Sequence, residues 1–507
     1  MCRAARKAAP PNRPGISVKL SALHPRYEAV SRDRVMRELV PRLVELARQA
    51  RAHDLNFTID AEEADRLELS LEVLETVFAD ASLAGWDGFG LAVQAYQKRA
   101  LAVIDWVADR AERSGRRMMV RLVKGAYWDT EVKRAQERGL DDYPVFTRKA
   151  MTDLSYMAAA EKLLALRPRL FPQFATHNAH TIAAILERAG TAEGFEFQRL
   201  HGMGEALYAR LLDARPEAAC RVYGPVGGHR DLLAYLVRRL LENGANSSFV
   251  SAAADPGVPV ASLLQRPAAI IGEASAARHP RLPLPRDLFA PHRQNSRGVE
   301  FGCRAALQGL LDEIAAARGA PAEAAAIVNG TKRSGSARDA ISPIDGAIVG
   351  RAIEAGADLA DEAVQAARLG FPAWSQTPAA DRAAIIERAG DLLEGARGRL
   401  IHLLQVEGGK TLDDAVAELR EAVDYCRYYA AEGRSLFGAG AAMPGPTGET
   451  DRLRLRGRGP FVAISPWNFP LAIFLGQVLA ALMAGNSVVA KPAEQTPLVA
   501  AEAVRLL

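Results

Sequence analysis

Between residues 16 and 223, seven short β-rich runs take turns with longer amphipathic stretches, and this alternation limits the possible folds more than any single motif. The runs are ISVKLS (16–21), NFTIDA (56–61), GLAVQAY (90–96), MMVRLVK (118–124), FPQFAT (171–176), EFQRLH (196–201) and CRVY (220–223). Helical patterns such as RVMRELVPRLVELARQAR and ALAVIDWVADRAERSG lie between them. Strand–helix–strand repetition argues a parallel sheet with crossover helices. Seven consecutive steps over about 230 residues fit a (β/α)8-type barrel better than an open doubly wound sheet. Seven runs are one short of closure. The expectation is therefore an α/β barrel lacking its first strand, in a chain that starts inside a longer protein.

The pattern changes near residue 254. Residues 1–15 read as a basic leader without a fold, 16–253 as the barrel (strands 2 to 8) and 254–335 as a Pro- and Arg-rich linker region carrying a short helix, CRAALQGLLDEIAAAR. From 336 to 507 a second domain is expected, with helices at 357–372, 379–396 and 411–433, then strand PFVAIS, helix 470–484 and strand NSVVAK. The apolar segment FPLAIFLGQVLAALMAG (469–485) is slightly short for a membrane span and holds Pro470 and Gln477, so it reads as a buried helix. The leader has no apolar run of a signal peptide.

Sixty-four Lys and Arg against 60 Asp and Glu leave a net charge of +4 in 507 residues, which gives no argument for nucleic acid. Cys2, Cys220, Cys303 and Cys426 are far apart and form no CxxC, so they read as reduced thiols.

Chemistry in such barrels sits at the C-terminal ends of the strands. Those ends carry Lys19, Asp60, Gln94, Arg121, Lys124, His177, His201 and Tyr223. No GxGxxG or P-loop occurs in this region, so a nucleotide-containing cofactor would need side chains for its phosphates. Arg121, Lys124, Arg148 and Lys149 are available, beside THNAH (176–180), which opens a helix. His177 and His180 could be read as metal ligands, but no carboxylate accompanies them, and no metal site is expected. In LLAYLVRRLLENGAN (232–246), Tyr235, Arg238, Arg239 and Glu242 fall on one stripe of an otherwise apolar helix, which raises the question of what anion the two guanidinium groups meet.

The stretches GISVKLSALHPRYE, RLVKGAYWDTEVKRAQ, FATHNAHT, FQRLHGMGEALY and VYGPVGGHRDLLAYLVRRLLENGANSSFV resemble the proline dehydrogenase barrel of the bacterial bifunctional proline utilisation A flavoproteins. GRGPFVAISPWNFPLAIFLGQVLAALMAGNSVVAKPAEQTPL resembles the N-terminal part of an aldehyde dehydrogenase Rossmann-like domain, the second enzyme of that family. The resemblance implies FAD-dependent oxidation of L-proline to 1-pyrroline-5-carboxylate, the first step of proline catabolism to glutamate. Arg238 and Arg239 would hold the proline carboxylate, with Lys19 completing the clamp, because planar guanidinium forks suit a carboxylate. Asp60 would balance the cations, and Tyr127, Leu200 and Tyr223 would wall the pyrrolidine ring. Arg121 matches the family's residue near flavin N5. Gln94, Lys124, Gly125, Trp128, Arg148, Lys149, Thr176, His177, Asn178, Gln198 and Glu242 match its other flavin contacts.

For the second domain, the resemblance implies NAD-dependent oxidation of glutamate semialdehyde. Asn468 matches the oxyanion-stabilising asparagine, and Lys491 and Glu494 match contacts to the NAD ribose. The family's nucleophilic cysteine and general-base glutamate belong downstream of KPAEQTP, so these 507 residues alone are expected to lack that second activity. The family further implies reoxidation by membrane quinone through transient membrane contact, a cytoplasmic location peripheral to the inner face of the bacterial membrane, and homo-oligomers of the full-length protein. No nucleic acid is expected as a partner of these residues. The rival readings are an inactive fragment or scaffold without bound flavin, and an aldolase-like barrel using Lys124 as a Schiff-base lysine.

Overall fold

The computed structural model describes residues 13–228, 230, 232–233, 237, 255–320 and 322–507. They fall into two compact units. One runs up to Arg134 and includes Tyr143–Leu282 and Phe301–Cys303; the other comprises Ala135–Asp142, Pro283–Glu300 and Arg304–Leu507. The linker expected at 254–335 is thus shared between the two.

The first unit is built on seven parallel strands: β1 (Gly15–Val18), β2 (Asn56–Ile59), β3 (Phe89–Gln94), β4 (Met118–Val123), β5 (Leu170–Ala175), β6 (Glu196–Leu200) and β7 (Cys220–Tyr223), paired in chain order. The helices between them are α1 (Arg32–Ala52), α2 (Leu67–Phe78), α3 (Ala100–Arg113), α4 (Trp128–Glu137), α5 (Lys149–Ala165), α6 (Ala179–Ala189) and α7 (Glu205–Ala214). α1 shows why these segments are helical. Val35, Leu39, Leu43 and Ala47 recur every four residues, all fully buried, which makes one apolar stripe against the sheet.

The sheet is curled, not flat. Tyr223 on β7 bonds directly to Asp60 at the end of β2. Five strand steps separate them, about 24 Å in a flat sheet at the usual spacing. Arg221 on β7 likewise donates to the carbonyl of Arg13, just ahead of β1. Sequential order without a reversal point also sets the sheet apart from a doubly wound one. The expected barrel-type α/β architecture is the one found. β1 is shorter than the run 16–21, because Ala22 N–H turns back onto the Lys19 carbonyl and a helical turn begins at Leu20. Lys19 is therefore the first residue beyond the strand.

In the second unit the helix Arg304–Ala316 precedes a three-stranded sheet, in which Ile348–Ile353 lies between Ala337–Ile341 and Glu323–Ala325. The helices Ala357–Gln376, Ala379–Gly395, Arg397–Val406 and Leu412–Phe437 follow. The first continues past Pro372 to Gln376, and Arg397–Val406 was not foreseen. A parallel pair, Pro460–Ile464 and Ser487–Lys491, encloses the helix Ala472–Met483. Among the described residues, no helix is long and apolar enough to cross a membrane.

Two buried carboxylates organise this unit. Glu418 accepts the N–H groups of Leu471 and Ala472 at 2.8 and 3.2 Å, where the helix Ala472–Met483 begins. Glu407 does the same for Leu498 and Val499 at 2.7 and 3.0 Å, at the start of Pro497–Leu506. Each supplies acceptors that a helix's first turn lacks. Burial pushes the Glu407 carboxyl up to about 7, against the pull of its two backbone donors. A raised acid is favoured in its neutral form. Its stabilising contribution is complete below about pH 4.5, the ordinary range, and is lost as pH rises through 7. Glu407→Gln is expected to flatten the fall in thermal stability of this unit between pH 5 and 8, followed by calorimetry; an unchanged slope assigns the pH dependence elsewhere.

Candidate active site

Successive residues of a strand face opposite sides of a sheet. Outward, Phe57, Ile59, Leu91, Val93, Val120, Leu122, Phe174 and Phe197 join one apolar core with the helices. Inward, beside small residues and Met119, lie polar side chains bonded to one another. Arg121, buried on β4, is the hub. Its Nη1 donates to Asp60 Oδ1 at 2.5 Å, Nη2 to Ser17 Oγ at 2.8 Å and Nε to Gln198 Oε1 at 2.7 Å. Its guanidinium lies 4.9 Å from the centre of the Tyr223 ring, whose hydroxyl donates to the second Asp60 oxygen at 3.0 Å. Cation–π contact and ion pair together fix the guanidinium plane.

A second set lies one strand repeat below. Glu196, 1 % exposed, accepts from Gln198 and Gln173, each at 2.7 Å. Arg221 grips it bidentately, Nε to Oε1 at 2.7 Å and Nη2 to Oε2 at 2.8 Å. Four strands are thereby joined through side chains alone, from β4 to β7. Ser17, Gln173, Glu196 and Arg221 were not singled out from sequence. The signal was present in EFQRLH and CRVY, where polar residues alternate. A barrel filled in the usual way carries bulky apolar side chains there.

At the mouth, Lys19 Nζ donates to the Tyr127 hydroxyl at 2.7 Å. Lys19 also lies 5.3 Å from the centre of the Tyr127 ring, while Asp60 is paired with Arg121. Leu200, at the end of β6, donates its N–H to His177 Nε2 at 3.1 Å. Arg238, Arg239 and Glu242 lie outside the described residues.

The loop after β4 carries the next group. Lys124 pairs with Asp153, and Lys149 reaches the other Asp153 oxygen at 2.9 Å. Burial holds the Lys124 ammonium below its ordinary range, opposed by Asp153. Gly125 follows at φ +147°, over the ring of Tyr96. Gln94 joins two loops, donating to the Glu62 carbonyl at 2.7 Å and accepting from Ala126 N–H at 3.3 Å. Exposed Trp128 donates to the Phe146 carbonyl at 2.9 Å. Arg148 donates to the carbonyls of Ile270, at 3.2 Å, and Ala276. After β5, Thr176 Oγ1 accepts from Asn178 N–H at 3.2 Å, and Asn178 caps α6 through Thr181 N–H at 3.1 Å.

In the second unit, Asn468, Lys491 and Glu494 are exposed, with Lys491 and Glu494 paired at 3.3 Å. Asn468 occupies the loop between the strand Pro460–Ile464 and the helix Ala472–Met483.

The proline dehydrogenase family model matches residues 2–252, and the aldehyde dehydrogenase family model matches 330–507. The bifunctional protein PutA of Escherichia coli is 49% identical over 508 residues, which cover 97% of this chain and 38% of that protein. The PutA of Rhizobium meliloti is 47% identical, with 97% and 39% covered. A crystal structure of the Bradyrhizobium japonicum PutA matches with a TM-score of 0.89 at 66% identity, covering 100% of this chain and 48% of that one. That of Bdellovibrio bacteriovorus PutA, inactivated by N-propargylglycine, matches with a TM-score of 0.86 at 32% identity, covering 97% and 51%. The chain thus spans 38% of the length of its E. coli relative.

The inner network makes a stability prediction. Glu196→Ala leaves Arg221 without its carboxylate in a largely buried site, and is expected to cost about 3–5 kcal/mol in urea unfolding of the first unit. A loss below about 1 kcal/mol, the range of surface ion pairs, contradicts this account.

Proposed function

The chain belongs to the bifunctional proline utilisation A family, and on that premise we propose that its first unit oxidises L-proline to 1-pyrroline-5-carboxylate with FAD. The observation that supports this most is Arg121, fixed by Asp60, Ser17 and Gln198 at the C-terminal ends of parallel strands. The residues present fit a flavin dinucleotide. Gly125 brings no side chain to the loop, and Lys124, Arg148 and Lys149 gather at the start of α5, where a phosphate finds both cations and a helix N-terminus. Gln94, Trp128, Thr176, His177, Asn178, Gln198 and Glu242 complete the set by family resemblance. When bound, FAD supplies the hydride acceptor.

The chain's own residues orient the substrate. Lys19, with Arg238 and Arg239, holds the proline carboxylate; the Tyr127 hydroxyl, accepting from Lys19, fixes where that ammonium points. Tyr127, Leu200 and Tyr223 wall the ring. Asp60 offsets the cations and, through Arg121 and Tyr223, keeps their spacing. Nearby positive charge favours the neutral ring nitrogen that hydride release requires. Arg121 stabilises negative charge that develops on the cofactor side.

For the second unit we propose the role of the N-terminal part of an NAD-dependent glutamate semialdehyde dehydrogenase, with Asn468 donating to a developing oxyanion and Lys491 and Glu494 holding the NAD ribose. Cys426 is unfit as its nucleophile, since burial pushes its thiol up to about 12. The same reading takes membrane quinone as electron acceptor through transient membrane contact, a cytoplasmic protein peripheral to the membrane, a homo-oligomer in the full-length protein, and no nucleic acid for these residues.

The purified chain is expected to carry a visible flavin spectrum that L-proline bleaches anaerobically. Arg121→Met is expected to lower kcat by about 10²–10³-fold with a smaller change in KM. A colourless protein that takes up no added FAD sinks the proposal and leaves the scaffold reading.

A further inference from the structure

Tyr96 belongs to none of the groups assigned so far, yet four separate contacts converge on it. Its backbone N–H donates to the Lys124 carbonyl at 2.7 Å, and its carbonyl accepts from Phe146 N–H at 2.8 Å. Its ring, 2 % exposed, lies directly beneath Gly125, so that a Cβ at Gly125 would collide with the ring carbons. Its hydroxyl lies 3.3 Å from Glu131 Oε1, and the same oxygen accepts the N–H of Ala64 at 2.7 Å. Glu131 is on α4 and Ala64 follows β2, so this oxygen ties α4 to the segment after β2. The loop pressed on the ring, residues 124–128, carries Lys124, Gly125, Tyr127 and Trp128.

We propose that Tyr96 is the positioning residue of the proline-oxidising site, a pedestal whose ring sets the height and tilt of the loop 124–128 and thereby the placement of the Tyr127 hydroxyl that steers Lys19. The inference rests on the proposed proline dehydrogenase reading and deepens it. Tyr96 acts through the loop and touches neither Lys19 nor the carboxylate it holds. Glycine is required at 125 for two reasons, the φ of +147° and the ring underneath. Only the second depends on Tyr96, which makes the coupling measurable. Burial, then the nearby Glu131, raises the Tyr96 phenol well above its ordinary range, so it stays a neutral donor at any working pH.

Tyr96→Leu in the full chain is expected to raise the KM for L-proline about tenfold, with kcat changed less than about threefold, because misplacement of a positioning group weakens orientation first. The visible flavin maximum shifts with it, and amide hydrogen exchange in 124–128 speeds up. Tyr96→Phe keeps the ring and is expected to restore KM, spectrum and exchange. Gly125→Ala raises KM in the wild-type and Tyr96→Phe backgrounds and adds less in Tyr96→Leu, where the methyl finds room and only the strain of the φ of +147° remains. Wild-type KM and exchange in Tyr96→Leu, or additive effects of the two substitutions, overturn the inference. If Tyr96→Leu does not fold, an unchanged KM for Gly125→Ala in the Tyr96→Phe background overturns it equally. A wild-type chain that L-proline never bleaches defeats the functional reading instead, and the exchange comparison still decides whether Tyr96 holds the loop.

Discussion

The ion pair between Arg121 and Asp60 is the constraint on which the inner side of the first unit is arranged. A guanidinium facing the middle of a curled sheet cannot be hydrated as at a surface, and an isolated charge there would be costly. Each of its three nitrogens therefore donates to a side chain: to Asp60 at the end of β2, Ser17 on β1 and Gln198 on β6. Gln198 passes the pattern to Glu196, and Glu196 to Gln173 and Arg221. Strands far apart in the order are joined by side chains as well as by backbone ladders. Such networks are stable when complete and fragile when one member is lost.

Much of this could be read in the sequence, and the reason is period. Short β-rich runs separated by 3.6-period helices announce a parallel sheet wrapped in helices, and the described strands follow those runs closely. The rim residues were equally visible, because Lys19, Asp60, Arg121 and Tyr223 stand at the strand ends, where a barrel places its chemistry. The deeper layer was not singled out. Glu196 looks like a strand residue beside Phe197, and only the three-dimensional convergence of Gln173, Gln198 and Arg221 explains its burial. Tyr96 escaped for a similar reason. Its meaning depends on Gly125 above it and Glu131 below it, 29 and 35 residues away in the chain.

The second unit uses the same economy differently. Glu407 and Glu418 lie on or just after helices and reach the open N-termini of two others, so long-range carboxylates do what local Ser, Thr or Asp caps usually do. No capping pattern near residues 471 or 497 could have revealed this. The acceptor is more than 50 residues upstream in each case.

The hold that Ile270 and Ala276 exert on Arg148 bears on where a self-sufficient piece of this protein can be cut. Both carbonyls belong to the stretch that follows the last strand of the sheet by more than forty residues, and the helix Pro267–Ile271, which carries the first of them, packs against α5. Shortening the protein at residue 253, beyond the seven described strands of the sheet, strips that arginine of both acceptors. The smallest autonomous version of the first unit therefore reaches past Ala276, and a protease nick within 267–276 would loosen the cation while leaving every strand in place.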